Sequence, residues 1–93
     1  MQLEKAKKRI AKQISKGFDG YPQITLAYFG ATADSATEVV VSFIAEEGAE
    51  AQEQRFSSST GDVREDEAIQ SVLIKIIDRA NARTVKEIAG VAS

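Results

Sequence analysis

Histidine, cysteine and tryptophan are absent from these 93 residues, and proline occurs once. Without histidine, the side chain that most easily moves protons near neutral pH is missing. Without histidine and cysteine together, the donor sets of zinc and other soft metals are excluded. So are Ser-His-Asp and Cys-His nucleophilic arrangements. No disulfide can form, and nothing suggests a secreted, cross-linked scaffold. The expectation is a protein that is not an enzyme, with no catalytic residue, no metal and no cofactor. No run approaches the roughly 20 continuous apolar residues of a membrane span, so no membrane partner is expected. The start, Met1-Gln2-Leu3-Glu4-Lys5, is charged and is not followed by the apolar stretch of a secretory signal. These features together read as a cytoplasmic protein of bacterial or phage type.

What is present is an ordinary globular balance. Apolar residues make up 43% of the chain and charged residues 28%, which argues against disorder. The length allows one core, so residues 1–93 read as a single α+β domain. The net charge of −2 hides an asymmetry. Residues 1–16 carry Lys5, Lys7, Lys8, Arg9, Lys12 and Lys16 against Glu4 alone, whereas ten acids lie between Asp34 and Glu67 against only Arg55 and Arg64.

Hydrophobic spacing orders the chain. Leu3, Ala6, Ile10 and Ile14 recur at three- and four-residue intervals and predict a helix from about Leu3 to Lys16, stopped at Gly17. Lys5, Lys8, Arg9, Lys12 and Lys16 fall on its opposite face. Gln23–Phe29 alternates in the manner of a strand. Glu38–Ala45 is dense in β-branched residues, and Glu47-Gly48 supplies a hairpin turn. Glu50–Ser58 is polar on both faces apart from Ala51 and Phe56, as suits a solvated edge strand. After the Ser57–Gly61 loop, Asp62 and Glu65 resemble a capping box. Ile69, Val72, Leu73, Ile76, Ile77 and Ala80 then form an apolar stripe, so a long helix is predicted over Asp62–Arg83. Thr84 and Glu87 repeat the capping pattern and predict a short terminal helix over Val85–Ala89. The expected architecture is αβββαα, a three-stranded antiparallel meander with the helices packed on one face.

Three sets of residues are candidates for function. The acids Glu46, Glu47, Glu50, Glu53, Glu65, Asp66 and Glu67 could dock on a basic surface of a protein partner, with electrostatic steering of the encounter. This is the leading expectation, a non-catalytic protein-binding or regulatory module such as an inhibitor or adaptor. Self-association through the open sheet face is included in it, because alternation leaves some of Thr25, Ala27, Phe29, Val40, Ser42 and Ile44 uncovered. The alternative is nucleic-acid binding by the basic face of the first helix, through Lys5, Lys8, Arg9, Lys12 and Lys16. The αβββα order is similar to that of double-stranded-RNA-binding domains, a likeness of topology alone. Their second helix opens with lysines aimed at phosphates, whereas Asp62-Val63-Arg64-Glu65-Asp66-Glu67 is acidic.

Gly30-Ala31-Thr32-Ala33-Asp34-Ser35, followed by Glu38, Val39, Val41 and Glu46-Glu47, resembles the Asp-Ser site of acyl carrier proteins. The resemblance covers roughly eighteen residues and implies a phosphopantetheine-bearing Ser35 that opens an acidic helix. Ala36 stands where that family has leucine.

Overall fold

Alternation along one short segment sets the centre of the molecule. In strand β1, Gln23–Phe29, every second residue is buried, with Ile24, Leu26 and Tyr28 pointing inward. The computed structural model describes residues 2–32, 35–58 and 61–92. Strand β2, Glu38–Ile44, runs antiparallel to β1 and sets Val41 opposite Leu26 and Val39 opposite Tyr28. Gly48, at φ 83°, turns the chain into strand β3, Gln52–Ser57, which pairs antiparallel with β2. The expected meander is therefore present.

The expected terminal helix is not. Thr84–Ala92 forms a fourth strand, β4, lying parallel to β1, and the sheet order is β3-β2-β1-β4. The sheet is mixed, and the element order is αβββαβ. The free edge of β1 offers unpaired backbone groups, and pairing satisfies them. Val85 lands beside Ile24 at 1% exposure. The Thr84 hydroxyl, which suggested a helix cap, instead accepts from the Asp19 N–H at 2.8 Å and donates to the Gly20 carbonyl at 2.7 Å. Beyond Glu87 the register slips. Leu26 faces Glu87 and Tyr28 faces Val91, so Ile88, Ala89 and Gly90 bulge out, with Gly90 at φ 79°.

Helix α1 spans Leu3–Ser15, buries Ala6 and Ile10, and ends before Gly17 at φ 71°. The long second helix is broken in two. Asp62 caps a single 3-10 turn, Val63–Glu65, and Asp66 caps helix α2, Glu67–Ala80, by accepting from the Ile69 N–H at 3.0 Å. Asn81, in the left-handed region at φ 51°, ends α2, so Arg83 lies outside it. The buried side of α2 is Gln70, Ser71, Leu73, Ile74 and Ile77, whereas Ile69, Ile76 and Ala80 are only partly buried. It is rotated from the predicted stripe because α2 packs against α1, while Leu73, Ile74 and Ile77 join the core residues of the sheet.

Both helices join one sheet face in one core, which contains Ile10, Ile24, Leu26, Val39, Val41, Leu73, Ile74, Ile77 and Val85. The opposite face carries Thr25, Ala27, Phe29, Val40, Ser42 and Ile44. Among the described residues, no helix is long and apolar enough to cross a membrane.

Candidate functional site

A concavity lies beside the broken second helix. Asp62, Arg64 and Glu65, on the 3-10 turn before α2 and at its cap, form one wall of it. A cleft of about 710 Å³ opens between them, α1 and the inner side of β1 and β4. Helix α1 contributes Ile10, Ala11 and Ile14 as an apolar wall, and Tyr28, Gln70 and Glu87 supply polar atoms.

The ionisable groups of the cleft are engaged with one another. Asp62 accepts from the Arg64 side chain at 2.6 Å, from the Arg64 N–H at 2.8 Å and from the Ala36 N–H at 3.1 Å. The Arg64 guanidinium and then these backbone donors hold the Asp62 carboxyl well below the usual carboxylate range, against the effect of burial. Lys7 bridges to Glu65 at 2.8 Å, and that hydrogen bond raises its pKa. The Tyr28 hydroxyl donates to Glu87 at 3.5 Å. Burial, with the Glu87 charge second, pushes the phenol up to about 12. Gln70, 3% exposed, donates to the Val63 carbonyl at 3.0 Å.

Such a cleft can receive and orient a ligand. Tyr28 stays protonated across the physiological range and offers a donor rather than a base, while Asp62 stays ionised with its oxygens occupied. No group of three or more carboxylates able to hold a metal ion occurs among the described residues. A second groove of about 470 Å³ runs between α2 and strands β2 and β3, with Val41, Phe43, Ile76 and Ala80 as its apolar lining.

The acids named from sequence do not form one patch. Glu46, Glu47 and Glu50 are exposed at the tip of the β2–β3 hairpin, where the Ala49 N–H closes a turn onto the Glu46 carbonyl at 3.0 Å. Glu65, Asp66 and Glu67 sit at the other end of β3, where Glu65 is paired with Lys7 and Asp66 caps α2. Glu53 lies on the outer face of β3 and accepts from the Ser42 hydroxyl at 3.2 Å. Among the bases, Arg9 is held by Asp78 of α2 at 2.9 Å. Lys5, Lys8, Lys12 and Lys16 remain exposed at three- and four-residue spacing. Ser35 lies between β1 and β2, bridged to Thr32, and Val39–Val41 belongs to a strand. The helix implied by the acyl-carrier resemblance is therefore not there. Asp34, Ser59 and Thr60 lie outside the described residues.

Tyr28, Arg64, Gln70 and Glu87 were not marked by sequence reasoning. The one legible signal was Gln70, a polar residue three positions before Leu73 inside an apolar stretch. Compared with known protein families, curated proteins and solved structures, the chain matches none of them.

Proposed function

We propose that this protein is a non-catalytic protein-binding module that docks its acidic hairpin tip on a basic partner surface. The division of labour among its acids is the observation that carries the reading. Glu38 pairs with Arg55, Asp62 with Arg64, Glu65 with Lys7 and Asp78 with Arg9, and Asp66 caps α2. Glu46, Glu47 and Glu50 have no such task among the described residues. Their exposure at a protruding turn presents negative charge at little cost in desolvation, which favours fast, salt-sensitive encounter. The engaged state of the cleft's ionisable groups supports binding over chemistry.

The test is affinity capture of partners from the native host with the wild-type chain and with an E46K/E47K/E50K variant. A partner retained by the first, lost with the second and released by moderate salt supports the proposal. A partner retained equally by both, or none at all, overturns it. The exposed lysine row of α1 favours a second reading, in which Lys5, Lys8, Lys12 and Lys16 contact phosphates. Oligonucleotide binding across a salt series, with Lys8→Glu and Lys12→Glu as the control, decides it. Absence of binding at low salt excludes that reading.

A further inference from the structure

The two edges of the sheet are treated differently by the fold. Strand β4 is interrupted, although Lys86, Glu87 and Ile88 are exposed. The Phe18–Gly20 segment is tied across its start through Thr84, the Phe18 ring lies 5.8 Å from the Lys86 ammonium, and the bulge at Ile88–Gly90 disrupts its far half. Such devices stop an edge from pairing with another chain. Among the described residues, strand β3 has no such tie or bulge. Its six residues, Gln52–Ser57, pair with β2 in unbroken register, contain no proline or lysine, and are exposed except for Phe56.

The charges on this edge have an order. Residues 53, 55 and 57 face the open side of the sheet, opposite Ser42, Val40 and Glu38, and residues 52, 54 and 56 face the helix side. When two copies of β3 pair antiparallel about Gln54, Glu53 of each stands opposite Arg55 of the other. Two cross-strand ion pairs form, with Gln52 set against Phe56 on the other face. Sliding the register by two residues in either direction, the smallest slip that keeps the faces matched, puts Glu53 against Glu53 or Arg55 against Arg55. Like charges directly opposite are destabilising, so the sequence selects one register.

We infer that β3 is a self-association edge, pairing antiparallel with β3 of a second copy to make a continuous eight-stranded sheet with twofold symmetry. Both pairs of helices then lie on the same side. The two α2 helices face each other across the joined strands, and the groove between α2 and strands β2 and β3 of each copy, with Phe43 and Ile76 in its lining, opens onto that shared space. Arg55 contacts Glu38 of the neighbouring strand β2 at 2.6 Å, and its side chain stays 70% exposed. This surface is separate from the hairpin tip, and reversing Glu46, Glu47 and Glu50 leaves both cross-strand pairs untouched.

Sedimentation equilibrium of the full chain over a concentration series tests the inference. The wild type is expected to dimerise. Glu53→Arg and Arg55→Glu each turn two attractive pairs into two repulsive ones and should weaken dimerisation by roughly thirtyfold. An equimolar mixture of the two single variants should form a mixed dimer, and the E53R/R55E double variant should dimerise with itself. Far-ultraviolet circular dichroism checks that each chain is folded. If Arg55→Glu fails that check, Glu53→Arg, which keeps the Glu38–Arg55 pair, carries the comparison against the wild type. A wild type that stays monomeric at the highest concentration overturns the inference. So does a dimer indifferent to the single reversals, or one that the double variant does not restore.

Discussion

Removing the Asp62 carboxylate is the most informative perturbation of this fold. One side chain caps the 3-10 turn, pairs with Arg64, and accepts from the N–H of Ala36, a residue with no exposed surface. The connection is reciprocal, because the Val63 N–H donates to the Ala36 carbonyl at 2.7 Å. Asp62→Ala loses the cap, worth about 1 kcal/mol. It also leaves the Ala36 amide without its charged acceptor, worth about 1.5–3 kcal/mol. The Arg64 pair adds little, because Arg64 is 36% exposed and such pairs contribute about 0–1 kcal/mol. The expected loss at neutral pH is about 3 kcal/mol, a shift in Tm on the order of 15 °C for a domain of this size.

The pH dependence gives the sign. The folded-state pKa of Asp62 is depressed below the ordinary value of 3.8, so its contribution is full above that value. It is lost as pH falls from there through the folded-state pKa. Urea denaturation at pH 7 and at a series of acidic pH values should therefore show the gap between wild type and Asp62→Ala narrowing below about pH 4. Arg64→Ala, which keeps the Ala36 bond, should cost no more than about 1 kcal/mol. A loss under 1 kcal/mol for Asp62→Ala, or a gap unchanged into acid, refutes the reasoning.

Further predictions concern the latch, the cleft and a close approach. Thr84→Val removes both hydroxyl bonds that tie Asp19 and Gly20 to β4 and should cost about 2 kcal/mol. Hydrogen exchange at the Asp19 amide should accelerate, and Thr84→Ser should restore most of its protection. In Tyr21→Phe, Tyr28 is the only tyrosine left, and its absorbance change at 295 nm should centre near pH 12. Because the unfolded phenol ionises near 10, stability should fall as pH rises above that value. A midpoint near 10 would contradict the burial argument. At Gly30, an added Cβ would overlap the backbone carbonyl oxygen of Ser35. Gly30→Ala should displace the β1–β2 connection and lower Tm by well over 5 °C, and an unchanged melt would disprove the close contact.

How much was legible depended on the distance over which each element is determined. The bounds of β1, Gln23–Phe29, agree with its alternation, and α1 ends where Gly17 follows Lys16. The β2–β3 turn falls where Glu47-Gly48 places it. In each case neighbouring residues carry the signal. The start of α2 was less legible, because Asp62 and Asp66 are both good caps four residues apart and local pattern cannot rank them. The candidate cleft was scarcely legible. Its residues come from α1, β1, the 3-10 turn, α2 and β4, and Tyr28 and Glu87 are 59 positions apart.

What the sequence by itself determined is the first helix, the three strands of the meander with their turn, and the absence of histidine and cysteine side chains. Periodicity, turn residues and composition act within a few positions, so they survive without a partner segment. The tertiary structure decided the rest. Thr84–Ala92 carries a helix-like capping pattern and becomes a strand because the edge of β1 was open and Val85 fits beside Ile24. Tertiary burial outweighs so weak a local preference. The same packing chose the exposed face of the sheet, separated the acids that hold the fold together from those at the hairpin tip, and left β3 at one edge of the sheet. Each depends on which residues meet across the sheet, and that is a property of the pairing rather than of any one segment.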